Sequence, residues 1–161
     1  NIYMNNLNKK INIVPFALNN VENHFLNFNE NEFVEGGALN AFGEKKNYEG
    51  KNFKPSNIYK TFGTTINKMI EEKNLNIPNY IKIDVDGIEH LILRKANKIL
   101  KEKKIESILI ELNENYQKQF NEIKNIFKNY NFVLKKKDRN EKYYGKKFAK
   151  IYNYIFEKKS N

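Results

Sequence analysis

The 161-residue chain contains no cysteine, only two histidines (His24 and His90) and only two arginines (Arg94 and Arg139). Without cysteine there is no disulfide scaffold, no thiolate nucleophile and no thiolate-held zinc or iron–sulfur cluster. Two histidines do not make a multi-histidine metal centre. No apolar run approaches the roughly 18 residues that would span a bilayer, and no signal peptide opens the sequence. These absences lead to the expectation of a cytoplasmic, reducing compartment.

The scarcity of arginine also bears on the net charge of +10. Basic residues number 29, and 27 of them are lysine. Nucleic-acid readers favour the planar, bidentate guanidinium. Here the lysines are spread along the chain rather than gathered into one stripe. Together with 29 asparagines and many Ile, Tyr and Phe, they have the composition that an AT-rich genome writes. A solvated lysine surface is the expected reading, and no specific nucleic acid is expected as a partner. Hydrophobic residues make up 40% of the chain and aromatics 14%, enough for one domain with a real core.

Ile2, Tyr3 and Leu7 read as the tail of a helix, and 11–18 as a strand. Residues 24–28 read as a second strand. From 29 to 63 periodicity dissolves into a long loop or insertion that holds five of the seven glycines. A helix begins near Thr64 or Thr65, either a plausible N-cap. Residues 80–85 form a strand that runs into Asp86-Gly87. Ile88, Leu91, Ile92, Ala96, Ile99 and Leu100 then mark one helical stripe closed by the lysines at 101–104. Residues 107–112 read as a strand covered on both faces. A helix capped by Asn113 or Asn115 carries Tyr116, Phe120, Ile123, Phe127 and Tyr130. Strands near 132–134 and 151–156 follow, joined by a polar turn around Asp138, Asn140 and Gly145. Strand–helix alternation specifies an α/β fold with a mostly parallel sheet and an antiparallel C-terminal strand.

In open α/β sheets ligands bind outside the carboxyl ends of the strands. Asp84 and Asp86 end one strand here, and Glu111 with Asn113 ends the next. If those strands are neighbours, about 4.8 Å apart, the acids share one rim and perturb each other's pKa. Glu89 opens the following helix, where a carboxylate is favoured by the dipole alone. Asp86-Gly87 also suits a plain strand-to-helix turn. His90 is a candidate general base, although its place beside the apolar stripe also fits a bland, partly exposed histidine. The rim could instead hold a hard cation such as Mg²⁺, but no metal ligand set is assigned. No Gly-rich dinucleotide fingerprint, P-loop or nucleophile elbow is present.

The stretch from Ile77 to Leu93, with Ile81-Lys82-Ile83-Asp84-Val85-Asp86-Gly87-Ile88-Glu89 at its centre, resembles the "IKIDVEGxE" signature segment of the FkbM family of methyltransferases. Asp86 takes the usual Glu position, and Lys95-Ala96 stands where the family has Gly-Ala. Val14-Pro15-Phe16-Ala17-Leu18, Thr64-Thr65-Ile66-Asn67 and Ile108-Leu109-Ile110-Glu111-Leu112 are similar to further family segments.

The resemblance implies a Rossmann-like class I methyltransferase that uses S-adenosylmethionine on a hydroxyl, often of a sugar or polyketide. It implies that Ala17 and Leu18 lie near adenine and Asp84 near the methionine part. Asp86, Glu89 and Glu111 then line the acceptor side, with a base among Asp84, Asp86, Glu111 and His90. A small-molecule or glycan hydroxyl is the implied acceptor; a basic binding module for nucleic acid or acidic glycan is the alternative. The family's first strand, Gly-rich cofactor loop and second-strand acid would precede Asn1, so the reading expects an N-terminally truncated domain. On that reading the 161-residue chain binds S-adenosylmethionine weakly at best, and a tight affinity by calorimetry overturns the expectation.

Overall fold

Ile108, Ile110 and Leu112 are buried on one face of a strand, while Ser107, Leu109 and Glu111 on the other face are half-buried. The two faces of this strand organise the core. The computed structural model describes residues 1–35, 37–73, 75–139 and 148–159. In chain order the elements are β1 (Ala17–Leu18), β2 (His24–Glu30), β3 (Ala41–Phe42), β4 (Asn57–Thr64), α1 (Ile66–Glu72) and β5 (Tyr80–Ile83). They continue with α2 (Glu89–Arg94), α3 (Asn97–Lys101), β6 (Ser107–Asn113), α4 (Gln117–Asn129), β7 (Phe132–Asp138) and β8 (Ile151–Lys158).

These strands form two mixed sheets, ordered β1-β4-β2-β3 and β5-β6-β8-β7. β1–β4 and β5–β6 are parallel, and the other pairings are antiparallel. The α/β class and the antiparallel C-terminal strand are as expected, but a mostly parallel sheet is not what forms. Among the described residues no helix lies between β2 and β4, where β3 pairs with β2 instead, and parallel pairing needs a crossover.

The 29–63 stretch is not one long loop. It contains β3 and nearly all of β4, which pairs with β2 along its whole length, from His24 opposite Gly63 to Glu30 opposite Asn57. Lys60 and Gly63 interrupt the apolar alternation that would announce a strand, and Ile58 and Tyr59 are exposed. The predicted strand at 11–18 shrinks to Ala17–Leu18. Pro15 has no N–H to give a ladder, and Phe16 N–H instead turns back to the Val14 carbonyl (2.9 Å). Residues 2–6 form turns rather than a helix end. Asn140 and Gly145 of the predicted polar turn lie outside the described residues.

Thr65 is the N-cap of α1, its side chain accepting from Lys68 N–H (3.2 Å). The single helix expected over 88–100 is divided at Lys95-Ala96 into α2 and α3. The Asn67 carboxamide from α1 accepts from Ile99 N–H (3.3 Å) and donates to Asn97 Oδ1 (2.7 Å), so a neighbouring side chain supports the restart. Neither Asn113 nor Asn115 caps α4. Its N-cap is Tyr116, and Asn113 Oδ1 instead accepts from Asn115 N–H (3.0 Å).

The main core gathers Ile83, Leu93, Leu100, Ile108, Ile110, Ile123, Phe127 and Phe156. A smaller cluster of Phe42, Ile88 and Leu91 is joined by Ala17, Leu26, Phe28 and Val85, so the ends of β1 and β5 converge on it. Gly63 makes that junction possible. A Cβ there would lie 2.3 Å from the Phe42 ring and 3.1 Å from the Ala17 carbonyl. Gly63→Ala should therefore destabilise the fold by about 1–3 kcal/mol through overpacking, although alanine in a strand is otherwise the better residue. Urea unfolding checks this, and an unchanged or raised midpoint contradicts the packing account.

Candidate active site

β5 and β6 run side by side in the same direction, with Ile83 opposite Ile110. One residue further on, each chain segment carries an acid: Asp84, just past the end of β5, and Glu111, two residues before the end of β6. The rim expected from sequence therefore exists, but its members differ in setting. Asp84 is exposed, and its carboxylate takes Lys82 Nζ at 2.9 Å. That hydrogen bond and charge raise the Lys82 pKa, with a further contribution from Glu111.

Asp86 and Gly87 turn the chain from β5 into α2 with left-handed backbone, φ 58° and 113°. Asp86 adopts that conformation without glycine's freedom, and glycine at 87 is required twice over. A Cβ there would meet Tyr48 Cα at 2.9 Å and the Asn47 carbonyl at 3.0 Å. The turn is held from below by Glu89. Its Oε1 accepts from Val85 N–H (3.3 Å) and Gly87 N–H (3.1 Å), and its Oε2 accepts from Gln119 Nε2 (2.8 Å). Glu89 is 3% exposed. Burial pushes its carboxyl up to about 7, against the opposing pull of the backbone N–H groups. The helix-opening reading of Glu89 is thus correct in place, yet the side chain is deep inside rather than solvated.

Gln119 is the residue that sequence reasoning missed. It is 1% exposed, and its amide nitrogen also reaches the Gly87 carbonyl (2.7 Å) and His90 Nδ1 (3.1 Å). A signal was available: Gln119 stands three residues after Tyr116, on the apolar side of an amphipathic helix, where a polar side chain needs a buried partner.

A cavity of about 230 Å³ opens over this turn, and its walls include Asp86, Glu89, Glu111, Asn113, Gln119 and Tyr48. Asp86 is half-buried; burial raises its pKa, the charge of Asp84 adds to the rise, and the N–H of Leu39 opposes it. That N–H reaches Asp86 Oδ2 at 2.8 Å. Tyr48 is tied to the rim by its carbonyl, which accepts from Asn113 Nδ2 (3.2 Å), and its ring lies 5.6 Å from that of Phe148. The glycine-rich segment around 39–50 is therefore a strap across the strand ends.

Asp84, Ala17 and Leu18 lie outside the cavity. Ala17 and Leu18 form a strand whose side chains pack on the two cores. His90 is neither exposed nor at the rim. It is 7% exposed, faces a neighbouring cavity, and burial drives its imidazole down to about 4. Among the described residues no group of three His, Asp or Glu side chains is disposed to hold a metal. No helix among them is long and apolar enough to cross a membrane.

The carboxylates and amides at the rim suit a neutral, hydroxylated ligand, because they offer acceptors and donors at close spacing and repel anions. The cavity is smaller than the roughly 300–1,000 Å³ typical of pockets for drug-sized ligands.

The family model described as the methyltransferase FkbM domain matches residues 2–134. No curated protein and no solved structure matches the chain.

Glu89 and His90 make opposite contributions to stability with pH. The Glu89 pKa is raised, so its contribution is present at low pH and is lost as pH rises through about 7. The His90 pKa is lowered, so its contribution is present at neutral pH and is lost as pH falls through the interval from 6.5 to about 4. The two slopes oppose each other in the parent chain. Glu89→Gln should leave stability rising with pH between about 4 and 6.5, and His90→Asn should leave it falling toward about 7. Chemical denaturation across that range checks both signs; parallel pH curves for the two variants contradict them.

Proposed function

Since the chain belongs to the methyltransferase FkbM domain family, we propose that it uses S-adenosylmethionine to methylate a hydroxyl of a sugar or related metabolite, in a cytoplasmic setting. The observation that carries this reading is the parallel β5–β6 pair, which sets Asp84 and Glu111 at the same level near the carboxyl ends of neighbouring strands, beside Asp86. With α2, α3 and α4 as its helices, that pair reads as part of a Rossmann-like class I sheet.

S-adenosylmethionine, when bound, supplies an electrophilic methyl group. The residues that the family resemblance turns toward it, Ala17, Leu18 and Asp84, lie outside the rim cavity. The chain's own work is therefore on the acceptor. A sugar hydroxyl is a poor nucleophile until its proton is drawn off. Asp86 is the proposed proton acceptor: it lines the cavity, and burial raises its carboxyl above the ordinary value. Glu111 and Asn113 orient the hydroxylated ring, and Tyr48 offers it an aromatic face. Glu89 and Gln119 are positioning residues, because they hold the 85–87 turn and with it the Asp86 carboxylate. Positioning of this kind supplies much of the rate in a two-substrate transfer. His90 is a poor choice of base. Its Nδ1 is engaged by Gln119, and the ring resists protonation.

A basic module for polyanions is the competing reading. The lysine excess favours it, but the acids that crowd the cavity would repel such a partner.

The test is transfer of labelled methyl from S-adenosylmethionine to a panel of sugars by a protein that carries this domain. Asp86→Asn should lower turnover by about 10²–10⁴-fold with little change in acceptor KM. Wild-type turnover in that variant removes Asp86 from the chemistry. Steeply salt-dependent polynucleotide binding without methyl transfer favours the competing reading.

A further inference from the structure

His90 is more than nine-tenths buried, yet only one of its ring nitrogens is engaged by the protein. Gln119 Nε2 lies 3.1 Å from Nδ1 and also donates to the Gly87 carbonyl and to Glu89 Oε2. The amide has two hydrogens for these three acceptors and its nitrogen cannot itself accept, so a proton on Nδ1 would face it unpaired, and the neutral ring carries its proton on Nε2. Among the described residues Nε2–H has no hydrogen-bond partner. The ring lines a cavity of about 110 Å³ whose other polar walls are Glu44, Lys46, Arg94, Tyr116 and Lys118. This cavity is separate from the acid rim, on the other side of Gly87.

The charge around the ring is set by Lys46, Arg94 and Lys118 against Glu44 and Glu122. Three cations and two carboxylates leave one positive charge. Arg94 is already committed to Glu122, Nε to Oε1 at 2.5 Å and a terminal nitrogen to Oε2 at 2.9 Å. Lys46 and Lys118 carry the excess. Burial lowers the His90 pKa most, Glu122 opposes it, and the three cations add smaller decreases. Tyr116 packs edge-on against the imidazole, ring centroids 5.8 Å apart, and burial keeps its phenol protonated. The walls therefore present two neutral donors, His90 Nε2–H and the Tyr116 hydroxyl, with two lysine ammonium groups and an excess of one positive charge. That set complements a small group with one negative charge and several acceptor oxygens.

We propose that this cavity is a binding site for a small oxyanion, a carboxylate or phosphate group, held by His90 Nε2–H, the Tyr116 hydroxyl, Lys46 and Lys118. The site is independent of the methyl-transfer reading. It can exist whether or not the acid rim is catalytic, and its ligand has the charge that the rim excludes.

The experiment is NMR observation of the two histidine rings in the full chain at pH 7, with inorganic phosphate, acetate and chloride titrated separately at constant ionic strength. Saturable displacement of the His90 Nε2 and Cε1 resonances by phosphate or acetate supports the site. Saturation by phosphate alone assigns a phosphate group, and by acetate alone a carboxylate. His24, exposed on β2, serves as the internal control and stays in place. Lys46→Ala and Lys118→Ala should each weaken the midpoint about tenfold, as expected for loss of one charge-assisted hydrogen bond. Both lysines reach solvent, so the variants should keep the parent melting temperature and the parent His90 starting shift. A linear, unsaturated response, an equal response to chloride, or an unchanged midpoint in both lysine variants overturns the proposal.

Discussion

The Glu89 carboxylate ties three pieces of the molecule to one point. It receives the N–H groups that end β5, fixes the left-handed Asp86-Gly87 turn, and meets an amide carried by α4. A buried acid is costly to ionise, and this one is ringed by donors that soften the cost without removing it. The arrangement gives the strand end a defined shape before any ligand arrives. The position of Asp86, the tight approach of Tyr48 to Gly87 and the seating of His90 against Gln119 all follow from it.

From that point the two cavities acquire contrasting character. On one side the strand-end carboxylates collect acidity beneath the strap. On the other, α2 and α4 present Arg94 and Lys118 around a neutral imidazole. Gln119 stands between the two and donates toward both. A single polar residue on the apolar face of α4 thus separates an acceptor-rich recess from a donor-rich one. The surface excess of lysine, which dominates the composition, takes only a small part in either.

Much of this frame could be read from the residues. The run Tyr80 to Val85, the acids after it and the apolar strand at 107–112 announce a parallel pair with a shared rim, because strand–helix–strand order leaves few other arrangements. The placement of Asp84, Asp86 and Glu111 along that rim, and of Glu89 at the start of α2, is read that way. Gln119 was hidden because it lies within a stripe of apolar neighbours and its partner is 30 residues away. β4 was hidden because Lys60 and Gly63 break its alternation, and because much of its surface faces solvent. Its identity as a strand comes from pairing with β2, which local pattern does not encode. The break at Lys95-Ala96 depends on Asn67, a side chain of another helix. In each case the missing information is tertiary, not local.

The strap has a consequence for how such a domain diversifies. The ceiling of the acid recess is supplied by Leu39 and Tyr48, which attach through one main-chain N–H to Asp86 and one main-chain carbonyl to Asn113. Backbone attachment is indifferent to the side chain at 48, whereas the left-handed backbone at Leu39 (φ 64°) narrows the choice there, so position 48 can change while the anchoring persists. Ligand preference can then drift through the roof while the floor, with its signature motif, stays constant.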